Sequence, residues 1–282
     1  MTDHQPKDVP LLVTGADGRV GRLLRAAWAG QPPTGILPFW CGRKTGHWQD
    51  LLAGPLDPVP ARAVVLHLAA DLSGDADAGS RSVAMAEAVA VAARRGRARG
   101  ILFVSTAAVY GPADHDLDEA SPCQPTTPYG HAKLAAESTC RRAAGAVPVT
   151  VLRIGNVVGA GALIGAARGA GKVELDPVPG RPGGPMRSWI APGELARLLC
   201  RLVGLADLPD VLNLAGPKAF TMADMLDAAG CPWLYGPYRP QVLPRLTLDT
   251  SRLAALCPDL AAGTPLEMMD DLRRTLVHRV SA

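Results

Sequence analysis

Tyr129 and Lys133 form a Y-x-x-x-K pattern in a segment with helical spacing. On a helix, residues four positions apart lie on one face, so the lysine ammonium would stand beside the phenol. A neighbouring positive charge favours the phenolate and lowers the pKa of the tyrosine. Tyr129 would then donate and accept protons near neutral pH. The same pattern occurs by chance on solvated helix faces, so it predicts acid–base chemistry only together with further residues.

Two hydroxyl side chains, Ser105 and Thr106, stand at the end of the apolar run that begins at residue 101. In a parallel sheet, ligands bind beyond the carboxyl ends of the strands. If residues 101–105 form such a strand, both hydroxyls face the edge where the helix of Tyr129 begins. A strand-end capping role is the alternative for this pair.

A third pattern, T-G-A-D-G-R-V-G over residues 14–21, has the form G-x-x-G-x-x-G. Gly15 permits a tight turn, Gly18 lets the backbone approach a pyrophosphate, and Gly21 lets helix and strand pack closely. The helix N-terminus that follows offers free N–H groups and a positive dipole to phosphates. A plain glycine turn is the alternative, and its position in the first strand–helix unit favours dinucleotide binding.

Alternating apolar runs and helical patterns must position these residues. The predicted strands are residues 9–14, 36–41, 63–68, 101–105 and 149–154, and the predicted helices are residues 20–28, 81–95 and 129–145. This alternation predicts an α/β fold, a Rossmann-type doubly wound parallel sheet with a small C-terminal substrate lobe.

The C-terminal half follows a looser pattern. Residues 160–187 are rich in Gly and Pro, which is typical of a binding loop or lid. Short helices are predicted at 192–204 and 221–230, the second with Thr221 as its N-cap and Asp224 completing the cap. We therefore expect a dinucleotide-binding core over residues 1–160, to which 188–215 return. Residues 161–187 and 216–282 are expected to form the substrate-binding lobe.

Composition narrows the function classes. The 282 residues carry a net charge of +3 with 4% aromatics, which disfavours nucleic-acid binding. No run of 18 apolar residues predicts a membrane span, and the N-terminus lacks the pattern of a signal peptide. The six cysteines form no C-x-x-C pair, which argues against a metal site. We expect a cytoplasmic protein with reduced thiols.

The three patterns, in this order, resemble the extended branch of the short-chain dehydrogenase/reductase superfamily, the NAD-dependent epimerase/dehydratase-like family. Four further segments are similar to family motifs: H-L-A-A at residues 67–70, S-T-A-A-V-Y-G at 105–111, P-Y-G-H-A-K at 128–133 and L-R-I-G-N-V-V-G at 152–159. Residues 187–190, R-S-W-I, resemble the segment before a family helix. The resemblance covers residues 9–215 well and the remainder loosely.

The resemblance implies roles residue by residue. Tyr129 is the general acid/base, Lys133 holds the nicotinamide ribose and lowers the Tyr129 pKa, and Thr106 hydrogen-bonds the reacting oxygen. Asn156 and Arg187 match positions that contact the phosphates of a nucleotide-sugar, although a surface arginine is the alternative for Arg187. The residues implied to bind the cofactor are Gly15, Gly18, Arg19, Val20, Gly21, Arg43, Leu68, Ala69, Ala70 and Lys133.

One departure from the family pattern concerns the reaction. Dehydratases of this branch carry an acidic pair after the active-site hydroxyl, whereas here Ala107 and Ala108 follow Thr106. Alanine cannot transfer protons, so dehydration is disfavoured, and so is sugar-acid decarboxylation. A second departure is Pro55, which stands where the family has a carboxylate that touches the adenine.

The end of the second predicted strand bears on cofactor choice. An acid there binds the ribose 2′-hydroxyl of NAD, whereas an arginine accommodates the 2′-phosphate of NADP. The chain reads Gly42-Arg43-Lys44, with no acid until Asp50, and Arg19 adds a further cation. These residues favour NADP over NAD. The alternative is that Arg43 and Lys44 form an ordinary solvated turn.

We therefore expect an NAD(P)-dependent oxidoreductase or epimerase that acts on a secondary alcohol or ketone of a sugar or nucleotide-sugar. The alternative is a non-catalytic redox sensor that binds the same dinucleotide. The family resemblance also suggests a homodimer through the tyrosine helix and helix 81–95, whose apolar face otherwise only covers the sheet.

Overall fold

A computed structural model describes residues 8–45, 50–54, 56–161, 163 and 172–278. Pro55 and most of the central part of the predicted loop 160–187, residues 162 and 164–171, lie outside these ranges. The described residues contain the three patterns and the elements that carry them.

A six-stranded parallel sheet forms the centre of the chain, in the order β2-β1-β3-β4-β5-β9. This architecture confirms the predicted Rossmann-type doubly wound fold. Its strands are β1 (Val9–Thr14), β2 (Ile36–Cys41), β3 (Val64–His67), β4 (Gly100–Thr106), β5 (Val149–Ile154) and β9 (Val211–Leu214). The chain reverses its direction of travel across the sheet between β1 and β3. Ligands of such sheets bind at this switch point, beyond the carboxyl ends of the strands.

Seven described helices cover the sheet and its C-terminal extension. They are α1 (Arg19–Gly30), α2 (Ala78–Arg95), α3 (Pro128–Ala144), α4 (Pro192–Gly204), α5 (Met222–Ala228), α6 (Ser251–Leu256) and α7 (Pro265–Val277). Successive strand residues point to opposite faces, so Leu11 and Leu12 of β1 enter different cores. The core around Leu11 is covered by α1, α4 and α7, and the core around Leu12 by α2 and α3.

The helix that carries the tyrosine begins with a strong N-terminal signal. Thr127 caps α3, its hydroxyl accepting a hydrogen bond from the Gly130 amide, and Pro128 occupies the first turn. The helix ends at Ala144, followed by Gly145 at φ 60°. These signals fix where α3 starts, and therefore place Tyr129 in its first turn.

Short strands form the remaining sheets. In one, β8 (Met186–Ile190) lies between β10 (Ala219–Thr221) and β12 (Arg245–Leu246), and β6 (Asn156–Val157) also pairs with β8. In the other, β7 (Val173–Leu175) pairs with β11 (Trp233–Tyr235). The predicted cap of the following helix is confirmed, because Thr221 and Asp224 form a reciprocal capping box on α5.

The C-terminal helix α7 packs against α1 and α4, beside the Rossmann sheet. Its buried residues Met268, Met269 and Leu272 belong to the same apolar core as Leu11 and Leu24. The assignment of residues 161–187 and 216–282 to a substrate lobe stays a prediction. The packing of α7 argues for a smaller lobe that ends before Pro265.

Candidate active site

The backbone of the glycine loop, residues 15–21, packs so closely that side chains at Gly15 and Gly21 would clash with neighbouring backbone atoms. A Cβ added to Gly15, whose φ is +74°, would lie 2.7 Å from the Ala69 amide nitrogen, and one added to Gly21 would lie 2.3 Å from the Gly15 carbonyl oxygen. Gly18 is the N-cap of α1, and the first turn of α1 contains no acidic residue. The loop therefore presents backbone N–H groups and a helix N-terminus at the sheet edge, which fits a pyrophosphate.

Residues 68–70, which follow β3, lie opposite the glycine loop at the switch point of the sheet. The Leu68 amide donates to the Thr14 carbonyl, and the Ala69 amide donates to the Thr14 hydroxyl at 3.4 Å. Ala69 and Ala70 are half-buried with small side chains. The structure thus brings the glycine loop and residues 68–70 together on either side of one cleft edge.

His67, the last residue of β3, is fully buried behind this wall. Its Nδ1 lies 2.8 Å from the Thr14 hydroxyl, and its Nε2 has no hydrogen-bond partner among the described residues. Burial, with a smaller contribution from the nearby Lys133 charge, lowers the pKa of His67 to about 3. The folded chain therefore holds this imidazole neutral.

We expect His67 to make the protein acid-sensitive. Below pH 6.5 the unfolded chain binds a proton that the folded chain takes up only near pH 3. The contribution of His67 to the free energy of unfolding is complete above pH 6.5 and falls by about 1.4 kcal/mol per pH unit below it. Urea denaturation across this range should show a steeper loss for the native chain than for His67→Asn, whereas parallel curves would contradict the assignment.

The two hydroxyls at the end of β4 point in different directions. Ser105 is buried and donates to the carboxylate of Glu137. Thr106 is half-buried at the strand end, where its hydroxyl accepts a hydrogen bond from the Ala108 amide at 3.2 Å. Thr106 therefore caps the short 3-10 turn of residues 107–109 while keeping its hydroxyl at the cleft edge.

Tyr129 lies at the N-terminal end of α3 with its side chain 42% exposed. Desolvation raises the pKa of Tyr129, and the charge of Arg19 in the glycine loop opposes this rise. The expectation that Lys133 lowers this pKa is thus not met. The cation that opposes the rise in the Tyr129 pKa therefore belongs to the glycine loop.

Lys133 lies one turn further along α3 and is buried. Its ammonium donates to the Val104 carbonyl at 2.5 Å and lies 4.6 Å from the centre of the Phe103 ring. Burial lowers the pKa of Lys133 to about 8, although the carboxylate of Glu137 opposes this shift. Lys133 therefore ties α3 to β4 and holds a desolvated positive charge under the site.

A buried ion pair that the sequence reasoning missed anchors α3 one turn beyond Lys133. Glu137 has no exposed surface, and its carboxylate accepts hydrogen bonds from the Arg153 guanidinium of β5 at 3.0 and 3.4 Å. Tyr129, Lys133 and Glu137 follow one another at intervals of four residues, so they share a helix face. That spacing, together with an arginine inside an apolar strand, was the signal available in the sequence.

Arg153 also contacts a buried tyrosine, Tyr110. Its guanidinium lies 4.7 Å from the centre of the Tyr110 ring, and the Tyr110 hydroxyl donates to the Asn213 side chain at 2.7 Å. Burial raises the pKa of Tyr110 to about 12. Tyr110 is therefore a structural phenol, and of the two described tyrosines near the sheet edge only Tyr129 presents its side chain to solvent.

The two predicted phosphate-binding residues lie on neighbouring strands. Asn156 of β6 pairs in register with Trp189 of β8, the strand that carries Arg187. The Arg187 guanidinium donates to two carbonyls, of Met186 and Leu243, and no carboxylate among the described residues pairs with it. Burial lowers the pKa of Arg187 to about 10. The two backbone carbonyls thus hold the Arg187 guanidinium in place, and no carboxylate among the described residues neutralises its charge.

At the end of β2, Arg43 and Lys44 are exposed. The turn that they form is closed by backbone hydrogen bonds between Gly42 and Thr45. The structure thus places the predicted cationic residues at the end of the edge strand β2, which is separated by β1 and β3 from β4, the strand that precedes the helix of Tyr129. Among the residues that the structure describes, no group of three or more His, Cys, Asp or Glu side chains is arranged to hold a metal ion.

The profile of the NAD dependent epimerase/dehydratase family matches residues 11–215. The chain belongs to this family. The match runs from β1 to the residue after β9, so it contains every element that shapes the cleft described above. No curated protein sequence matches the chain. Within the described ranges, no helix combines the length and apolar character needed to cross a membrane.

Solved structures with the same fold cover nearly the whole chain of this family member. MoeE5 in complex with UDP-glucuronic acid and NAD is 20% identical with a TM-score of 0.77, covering 95% of this chain and 99% of that one. UDP-N-acetylglucosamine 4-epimerase from Methanobrevibacter ruminantium is 19% identical with a TM-score of 0.74, covering 96% and 98%. Thermus thermophilus UDP-glucose 4-epimerase, in complex with NAD, is 21% identical with a TM-score of 0.70, covering 95% and 99%.

Proposed function

We propose that this family member is an NAD(P)-dependent oxidoreductase or epimerase acting on a secondary alcohol or ketone of a nucleotide-sugar. The observation that carries the proposal is the placement of Thr106, Tyr129 and the glycine loop at one edge of the sheet. The turn at Gly15 packs directly against the Ala69 backbone, which keeps this part of the loop free of side chains, and Arg19 of the loop acts electrostatically on the phenol. Cofactor and proton-transfer group would therefore meet at the switch point.

The proposed mechanism assigns Tyr129 to the proton. As the substrate alcohol is oxidised, its hydroxyl proton passes to the phenolate oxygen of Tyr129, and it returns when the ketone is reduced. Thr106 orients the reacting oxygen, the charge of Arg19 in the glycine loop favours the Tyr129 phenolate, and Lys133 would hold the nicotinamide ribose. A bound nicotinamide would supply the matching hydride acceptor and donor. A dehydrogenase releases the oxidised product, whereas an epimerase returns the hydride to the opposite face.

We assign the dinucleotide to the cleft edge formed by two short segments. Gly15, Gly18, Arg19, Val20 and Gly21 would hold the pyrophosphate, and Leu68, Ala69 and Ala70 would line the opposite wall. Arg43 was expected to favour NADP. That preference finds no support among the similar structures, several of which contain NAD and none of which is described with NADP.

A nucleotide-sugar substrate is supported by Arg187 and Asn156. Arg187 offers a desolvated charge that no described carboxylate neutralises, which suits a diphosphate. Two of the similar structures contain UDP-sugars, and a third is a dTDP-glucose 4,6-dehydratase. We do not extend dehydration to this chain, since Ala107 and Ala108 after Thr106 carry no group that transfers a proton.

The test is a panel of UDP- and dTDP-sugars incubated with the purified chain and NAD or NADP. Product formation would be followed by NMR, and cofactor reduction by absorbance. Conversion of a sugar to its epimer without net cofactor reduction identifies an epimerase, and stoichiometric reduction identifies a dehydrogenase. Failure of the chain to bind either dinucleotide would contradict the proposal.

We also propose a cytoplasmic homodimer. An open groove between α2 and α3 is lined by small and apolar side chains, among them Val83, Ala84 and Ala135, with Glu87 and His131 at its side. A second copy of the same helix pair would fill it. Light scattering after size exclusion should give about twice the 29.4 kDa chain mass, and Ala84→Glu should halve it. A native mass of one chain would contradict this.

A further inference from the structure

The carboxylate of Asp17 reaches from the glycine loop to the end of β2. It accepts hydrogen bonds from the Lys44 amide at 2.7 Å and from the Thr45 hydroxyl at 2.9 Å. Arg25 lies 3.9 Å from the same carboxylate, and the Asp17 side chain remains 26% exposed. A negative charge therefore stands at a strand end where the sequence alone indicates only cations.

The carboxylate of Asp17 occupies the space that a side chain at position 42 would need if that residue were not glycine. Dinucleotide folds carry an acid at the end of the second strand, roughly 20 residues after the glycine motif, where it binds the ribose 2′-hydroxyl. Here β2 ends in Cys41, which is buried, followed by Gly42. A Cβ added to Gly42 would lie 2.5 Å from an Asp17 carboxylate oxygen. A side chain at position 42 and Asp17 in its observed place therefore exclude each other.

We propose that Asp17 replaces the missing acid of β2, accepts the adenosine ribose hydroxyls and makes the chain prefer NAD to NADP. The inference rests on the proposed dinucleotide-binding function. An ionised carboxylate has about four acceptor positions, and Lys44 and Thr45 occupy two of them, so acceptors remain for a ribose. A 2′-phosphate would instead meet a like charge. It would also find the Lys44 amide, a natural anion donor, already engaged by Asp17.

This inference reverses the cofactor preference expected from Arg43 and Lys44. Both side chains are exposed, where solvent weakens their attraction for a phosphate. Asp17 is the more enclosed group, and its position is fixed by two hydrogen bonds to the turn. The fixed charge should therefore outweigh the mobile ones.

The test compares calorimetric dissociation constants of NAD and NADP for the native chain and three variants. Asp17→Asn removes the charge and keeps the shape, so the native NAD preference should shrink roughly tenfold or more. The double variant Asp17→Ala, Gly42→Asp supplies the carboxylate from the end of β2 instead of from the glycine loop. It should restore the preference for NAD. Asp50→Asn, which alters the next acid in the sequence, should leave it unchanged.

Each alternative outcome is decisive. A native chain that binds NADP more tightly than NAD would overturn the inference. So would an unchanged preference in folded Asp17→Asn, or a loss of preference in Asp50→Asn. If Asp17→Asn fails to fold, judged by circular dichroism, the double variant and the native preference still decide. Absence of binding to both dinucleotides in the native chain would instead remove the proposed function itself.

Discussion

Replacing Tyr129 by phenylalanine is expected to lower turnover by roughly 10²–10⁴-fold and to leave the dinucleotide dissociation constant within a few-fold of native. The phenol is the group that we assign to proton transfer, and positioned acid–base catalysis contributes about this much. The benzyl ring stays, so the cleft keeps its shape. Steady-state kinetics on the sugar identified by the panel, with calorimetry of cofactor binding, measure both quantities.

Ser138→Ala is the matched control, because it also removes one hydroxyl from α3 but at an exposed position away from the sheet. Its turnover should equal that of the native chain. Full activity in Tyr129→Phe would contradict the assigned acid–base role. It would also revive the redox-sensor alternative, since a sensor has no use for a proton relay.

Glu137→Gln is expected to destabilise the fold by about 3–5 kcal/mol, because removing one partner of a buried ion pair strands the other charge. The stranded group would be Arg153, which is itself almost fully buried. The amide is close in shape to the carboxylate, so little of the loss would come from packing. Urea denaturation at pH 7 measures the change in the free energy of unfolding.

Glu174→Gln provides the control for this variant, since Glu174 lies exposed on β7, away from the proposed dimer groove, and forms no ion pair with a described residue. Its free energy of unfolding should stay within about 0.5 kcal/mol of native. If Glu137→Gln were equally silent, the anchoring of α3 through Arg153 would be wrong.

The strands were the most predictable part of this fold. The bounds of β1, β2 and β5 agree residue for residue with the apolar runs. A central strand such as β5, which is buried on both faces, needs continuous apolar sequence. Even Pro38 did not interrupt β2, which is an edge strand of the described sheet. The cap of α5 was equally readable from Thr221 and Asp224, since capping depends on neighbours in sequence.

Side-chain direction was much less predictable. Helical spacing places Tyr129 and Lys133 on one face, but it does not determine that the ammonium bends to the Val104 carbonyl. The same holds for Ser105, which bonds inward to Glu137 while Thr106 stays at the edge. These outcomes depend on contacts between distant segments, where burial and pairing outweigh local pattern.

The β2 terminus shows this limit most clearly. Read along the sequence, Gly42, Arg43 and Lys44 lack an acid and favour NADP. In space, Asp17 comes from 25 positions earlier in the chain and fills the gap left by the glycine. The residues around the end of β2 give no sign in the sequence that the acid comes from the glycine loop.

The most direct measurement is a crystal structure of the chain with a dinucleotide and a substrate analogue. We expect the Tyr129 hydroxyl to lie about 3 Å from the reacting sugar oxygen, and the nicotinamide C4 to lie about 3–3.5 Å from the attached carbon. A dinucleotide bound away from the glycine loop would contradict this expectation. A Tyr129 hydroxyl directed out of the cleft while both ligands are bound would contradict it equally.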